Sequence, residues 1–555
     1  MNEKVIILGG GVAGMSAAHE LIERGFSVCV YEFKPACGGK ARSMDVPDSG
    51  TNGRKALPGE HGFRFFPRFY QHLPDTMKRI PFPGNDQGVF NNLADATRGE
   101  MARYGKPSIE LVTRFPRTFN DIKDLLNEVF GGNDTGLAAG DVEFFAEKLW
   151  QLMTSCSERR LAEYEKMSWW DFIGAEGRSL AYQNLLAIGL TRTLVAAKAK
   201  EASARTGGDI LLQLVFDMLT PGVSSDRLLN APTNDAWLDP WMSYLTEKGV
   251  DYQLNAQLEE FICTNGSIAG ARINQNGNSM IVTGDYYISA LPIEVVSRFI
   301  NADMLKVDPS LANIPLLAPN VSWMNGIQYY LLKNTDIVPG HTIYIDTPWA
   351  LTSISQKQFW PSVDLSLRGD GTIQGILSVD ISDWDTPGEL FKDTNGNYKA
   401  AKDCTPDEIS KEVWNQLKKS LNSSAQVLTD DMLHSWFLDP DILIPLPDRP
   451  SQSVNLEPLL VNKMDTWKWR PDAVTQIPNF FLSSDFVRTY TDLATMEGAN
   501  ESARRAVNAI LIASGSDADD CTLWDLHEPA LLWPFRERDS MRFSKGLPWD
   551  GKLID

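Results

Sequence analysis

The residues whose spacing carries most chemistry stand at the start of the chain. Gly9, Gly11 and Gly14 satisfy G-x-G-x-x-G, and Glu32 follows 18 residues after the last of them. Gly9 permits a tight turn, Gly11 lets the backbone approach a pyrophosphate, and Gly14 lets a helix sit close on a sheet. Val12 and Ala13 open that helix, whose unpaired N–H groups and positive dipole end would face phosphates. Glu32 is spaced to accept hydrogen bonds from ribose hydroxyls. A glutamate there, rather than a small residue followed by arginine, favours an unphosphorylated ribose and so FAD or NAD. A second turn, Gly38-Gly39-Lys40-Ala41-Arg42, brings two cations to where further phosphate contacts would fall.

Elements able to position these groups can be read around them. Val5 to Leu8 is an apolar, β-rich run of the kind that makes a buried parallel strand. Ala17, Ala18, Leu21 and Ile22 give the following helix an apolar face, Gly25 ends it, and a strand from Ser27 to Tyr31 delivers Glu32. Near the other end, Phe480 to Leu482 reads as a strand with Asp485 just past it. A helix is expected from close to Met496 to Gly515, with Ala499, Ala503, Ala506 and Ile510 on one face. Asp485 could bind ribityl hydroxyls. The helix start at Met496 could set N–H groups against a flavin's N1 and C2 carbonyl and stabilise the charge that reduction puts there.

The segment FLSSDFVRTYTDLATMEGANES resembles the C-terminal flavin segment of the carotenoid-desaturase branch of the flavin amine oxidase superfamily, especially plant-type phytoene desaturases and bacterial hydroxysqualene dehydroxylases. Ser483 and Ser484 stand where that family usually has Ala-Gly. GEHGFRFFPRFY occupies the place of the family's flavin-facing loop and differs from it in detail. The resemblance implies that Gly62 and Phe63 contact the isoalloxazine ring through backbone, that Gly39, Lys40 and Arg42 lie at the cofactor, and that the Leu258 backbone meets the adenine. It also turns Arg64 toward the substrate, to pair with an anionic group or stabilise a polarised intermediate, and makes His61 a candidate acid or base. A structural ion pair for Arg64 and an ordinary hydrogen-bonded His61 are the alternatives.

The expected fold class is α/β: a Rossmann-type FAD-binding domain, glutathione-reductase-like and amine oxidase-like, with a discontinuous α+β substrate domain. Residues 1–63, 236–300 and 471–514 would form the cofactor domain, and 64–235 and 301–470 the substrate domain, with 515–555 a tail packed on the body. Helices are expected over Asp121 to Phe130 and Thr405 to Leu421, strands over Val321 to Leu332 and Gly340 to Ile345, and a β-meander turning at Asn265-Gly266 and Asn276-Gly277. Trp237, Trp241, Trp323, Met324, Trp349, Phe359 and Trp360 supply large apolar side chains for a core or a substrate tunnel. The aromatic tail, with Trp524, Trp533, Phe535 and Trp549, reads as a strap on the body or as an oligomer or membrane contact.

Composition narrows the partners. Fifty-two basic against 72 acidic side chains give a net charge of −20, which repels phosphate backbones and makes nucleic acid an unexpected partner. The six cysteines form no CxxC pair and the six histidines no HExxH, so no protein-ligated catalytic metal is expected and the thiols read as reduced, in a cytoplasm. No apolar run is long enough to span a membrane, though contact with a lipid surface suits the expected substrate. The favoured activity is an FAD-dependent dehydrogenase or desaturase acting on an apolar, isoprenoid-like substrate. Asp492 to Thr495 offer no Cys or His for a covalent flavin link, so FAD should be held non-covalently. An amine or amino-acid oxidase is the alternative, weakened because Met496 stands where such enzymes usually place an aromatic cage residue. A non-redox role, as a flavin-dependent isomerase or a catalytically silent nucleotide-binding protein, is the third reading, and the electron acceptor, whether oxygen, a quinone or another carrier, stays open.

Overall fold

The protein was analysed as a computed structural model, in which residues 3–110, 123, 135–189, 198–218, 226–445 and 453–553 are described. The first strand, β1 (Lys4–Leu8), is buried at every position after Lys4, as a strand covered on both faces must be. The glycine turn leads into α1 (Val12–Glu23), and Gly25, at φ +85°, follows the end of that helix. Next comes β2 (Ser27–Tyr31), and later β3 (Arg98–Arg103) and β4 (Lys106–Glu110). A short β5 (Asp251–Gln253) precedes a three-stranded meander over Ala256–Thr264, Ser267–Gln275 and Asn278–Val282. Both of its Asn-Gly turns have two consecutive positive φ angles, the geometry of tight hairpins. The chain then returns through β6 (Tyr286–Ser289).

The central strands are β7 (Asn325–Leu331), β8 (Gly340–Tyr344), β9 (Leu351–Ser355) and β10 (Gly375–Ile381). They are followed by α2 (Pro406–Leu421), β11 (Leu433–Leu438), β12 (Phe480–Leu482) and α3 (Met496–Ser514). Thr405 and Glu408 close a capping box at the start of α2. The expected strand over Val321 to Leu332 divides into Val321–Ser322 and β7. The helix expected over Asp121 to Phe130 falls outside the described residues, Lys123 excepted.

Two sheets organise the molecule. Five parallel strands run in the order β12-β6-β1-β2-β5, with Leu8 of β1 registered against Ser289 and Tyr31. Seven strands make the second, in the order β11-β7-β10-β9-β8-β3-β4, antiparallel except between β8 and β3. One of its faces is covered by α2, whose Ile409, Val413 and Leu417 share a core with Tyr329 and Val379. On the first sheet α3 packs over α1, and Asn500 donates to Ser16 Oγ at 2.8 Å in their buried interface.

The C-terminal segment lies against the helices Ala139–Thr154 and Ser157–Ala162. Leu532 is fully buried, Phe535 meets the edge of Trp150 at 5.0 Å between ring centroids, and Asp539 lies 3.0 Å from the Arg159 guanidinium. All six cysteines are buried and none is in a disulfide. Among the described residues, no helix is long and apolar enough to cross a membrane.

Candidate functional site

A cavity of about 930 Å³ joins the two sheets. Gly9, Gly11, Val12, Ala13, Glu32, Gly39, Lys40, Leu258, Asp485 and Met496 line it from the parallel-sheet side, and His61, Gly62, Phe63 and Arg64 from the loop between the lobes. Residues from both ends of the chain therefore converge on one space. Gly14 and Arg42 are not in the lining. A Cβ on Gly14 would fall 1.9 Å from the Gly9 carbonyl oxygen, so that glycine lets helix and turn close on each other. Arg42 turns to Asp441, at 2.9 Å, and Glu457, at 3.4 Å, because these two carboxylates compete for its charge. Lys40 stays at the wall, its Nζ against the Pro458 carbonyl and 3.6 Å from Glu294.

The geometry suits a dinucleotide. A Cβ on Gly11 would meet nothing nearer than the Gly39 Cα at 3.8 Å, which leaves an open cradle at the first turn of α1. Glu32 is buried, and its two oxygens accept the N–H groups of Gly10, at 2.6 Å, and Lys34, at 2.8 Å. Burial lifts its carboxyl above the usual range against those bonds, so further donors such as ribose hydroxyls would favour its charged form. At the opposite wall Thr495 caps α3 by accepting the Gly498 N–H at 3.0 Å, and the positive end of this 19-residue helix opens beside Met496.

The loop after Glu60 is tied down by its own residues. Arg64 donates to the carbonyls of Ala41 and Phe63, each at 3.2 Å, and to those of Lys40 and Gly62. Its guanidinium, at the cavity wall, thus fastens the second glycine turn to the loop. His61 Nδ1 lies 2.6 Å from Asp439 Oδ2, whose carboxyl, despite its burial, is held below the usual range by His61 and by Asn325. Glu60 faces Thr233, whose N–H and Oγ1 lie 3.2 Å from Glu60 Oε1. Burial pushes the Glu60 carboxyl up to about 7 against the nearby Arg64 charge.

The far wall belongs to the seven-stranded sheet and its neighbours. Phe63, Phe65, Phe69, Leu214, Met324 and Ile343 make it largely apolar, and His341, Thr352 and Asp380 set polar groups into it. Burial lowers His341 to about 3, which leaves its imidazole neutral. Of the large apolar residues singled out from the sequence, Met324 lines the cavity; Trp237, Trp241, Trp349, Phe359 and Trp360 are core. Asp380 was missed by sequence reasoning. The only signal available was an acid inside the mostly apolar run Gly375–Ile381.

The sequence pattern described as flavin containing amine oxidoreductase matches residues 12–511. A probable zeta-carotene desaturase of Synechococcus elongatus is 23% identical over 92% of this chain and 99% of its own length. A 15-cis-phytoene desaturase of the same organism is 23% identical over 92% and 96%. Among solved structures, putrescine oxidase bound to putrescine superposes with a TM-score of 0.59 at 12% identity, covering 92% of this chain and 99% of that one. Cyclohexylamine oxidase from Brevibacterium oxydans gives 0.59 at 12% identity, over 93% and 100%. At those identities the two structures speak to the fold alone.

Proposed function

The chain belongs to the flavin-containing amine oxidoreductase family, and on that footing we propose that it dehydrogenates an apolar, isoprenoid-like substrate with non-covalently held FAD. The observation that carries this reading is the continuity of one cavity, from the open cradle at Gly11 to the apolar wall of Phe65, Phe69, Met324 and Ile343. Full-length relatives named as carotene desaturases support the same substrate class.

FAD supplies the hydride-accepting ring; the protein's part is to bind, orient and keep water out. Glu32 would accept the ribose hydroxyls. The Gly11–Ala13 backbone and Lys40 would take the pyrophosphate, Asp485 the ribityl chain, and Leu258 the adenine. Gly62, Phe63 and the N-terminus of α3 would flank the ring. The aromatic wall aligns an extended chain by shape, which suits a substrate with few polar handles. An amine would call for an aromatic cage, and Met496 brings no ring to the start of α3. Exposed Leu531, Trp533 and Met541 on the C-terminal segment offer apolar side chains to a lipid surface from which such a substrate would come.

The test is anaerobic mixing of the yellow protein with zeta-carotene or phytoene dispersed in lipid, and separately with putrescine and cyclohexylamine. The polyenes should bleach the flavin and the amines should not. Bleaching by an amine alone overturns the substrate class. Acid precipitation should release all the flavin into the supernatant, and colour retained in the pellet would contradict non-covalent binding.

A further inference from the structure

On the inner face of the seven-stranded sheet, two neighbouring strands place Thr352 and Asp380 side by side, directly registered across β9 and β10. Both side chains line the cavity and both are more than nine-tenths buried. Thr352 Oγ1 and Asp380 Oδ1 have no hydrogen-bond partner. A buried acceptor left open is costly and calls for an explanation. The carboxyl also lies directly beneath the loop expected to face the flavin: a Cβ on Gly62 would come within 2.6 Å of Asp380 Oδ1.

We propose that Asp380 is the proton partner of hydride transfer, the carboxylate that takes up the proton accompanying reduction of the flavin. The inference rests on the flavin reading above. In a dehydrogenation one C–H bond breaks with its electron pair, which leaves as hydride to the flavin. The adjacent C–H bond breaks with its proton going to Asp380, and the electron pair left behind forms the C=C bond. The neutral acid then returns its proton to solvent when the electron acceptor reoxidises the flavin.

The surroundings poise this group. Burial raises Asp380 to about 7; Arg64 and the Phe63 N–H oppose the rise, and Asp439 and Glu60 add to it. Asp439 in turn has His61 at 2.6 Å. The neighbours on the sheet, Thr352 and the neutral His341, bring no charge. Near neutrality the group can therefore both accept and release a proton. Glu60 is raised to a similar value but is bonded to Thr233 behind the loop, which makes it the natural control.

The test needs no substrate. The midpoint potential of the bound flavin is measured by dye-mediated reductive titration from about pH 5.5 to 8.5, a range spanning the shifted carboxyl. Below about 7 Asp380 already holds its proton and takes up none. Above that value it is ionised, and reduction beside it draws a proton in. The potential of the wild-type protein should therefore fall more steeply with pH above neutrality than that of Asp380→Asn, while Glu60→Gln should keep the extra steepness, with its onset moved to lower pH because Glu60 no longer adds to the rise. Asp380→Ser serves if the amide variant fails to load flavin. Parallel curves for the wild type and either Asp380 variant, or loss of the extra steepness in Glu60→Gln, would overturn the assignment. Failure of both polyenes to reduce the wild-type flavin would count against the substrate class and leave this measurement free to decide the role of Asp380.

Discussion

Arg64 shows how a side chain's surroundings set its role. A guanidinium in a loop expected to face the flavin suggests substrate recognition, and this one donates to four main-chain carbonyls that belong to two different turns. Hydrogen bonds from a charged donor contribute roughly 1.5–3 kcal/mol each. Arg64→Ala should therefore loosen residues 38–42 and 61–65 together and raise the FAD dissociation constant at least about tenfold, because the cradle is no longer held in shape. Lysine should restore little, since a point charge cannot reach four acceptors laid out for a planar fork. Flavin retained after matched dialysis measures both. Retention equal to wild type would return Arg64 to the role of a substrate-facing cation. Neither reading could be chosen from sequence, because what decides it is the carbonyls of Lys40 and Ala41, brought to Arg64 only by folding.

Among the elements, the β1-turn-α1 unit makes the sharpest separation between stability and binding. Gly11 has an ordinary extended conformation, at φ −72°, and space beyond its Cα. Gly11→Ala should then melt like the wild type when both are stripped of flavin, yet fail to take FAD back, because the added methyl fills the cradle. A drop in apo melting temperature comparable to a core lesion would refute that division of labour. Elements of this side were legible because strand, turn and helix adjoin in the chain and each carries its own period. The strand Ser27–Tyr31 is found with the bounds its pattern predicts, and α3 begins at Met496. The far wall was not legible for the opposite reason. Asp380 lies in a strand whose pattern says only that it is buried, and it acquires meaning from Gly62, hundreds of residues earlier. Arg42 is likewise drawn off by Asp441 and Glu457, carboxylates that no local spacing connects to it.

At the scale of the whole molecule, the C-terminal segment is fastened by a buried ion pair. The Arg159 guanidinium and the Asp539 carboxylate are both almost inaccessible, and Arg536 reaches the Met153 carbonyl at 2.9 Å beside them. Asp539→Ala would leave the arginine with only the half-exposed Glu163 as a carboxylate partner, a loss of up to about 3 kcal/mol for a buried pair. It should expose the last residues to protease and lower the melting temperature, with flavin occupancy unchanged because the cofactor cradle is built elsewhere. Tail cleavage at the wild-type rate would show that the aromatic contacts suffice alone. The order β12-β6-β1-β2-β5 has its own bearing on how the protein is made. The strand and helix that carry the glycine turn are made hundreds of residues before β12 and α3, which complete the sheet and cover α1. Until they follow, the nascent chain presents an unpaired sheet edge and a bare apolar helix face, surfaces prone to association. Both walls of the cradle exist together only after β12 and α3 have been made.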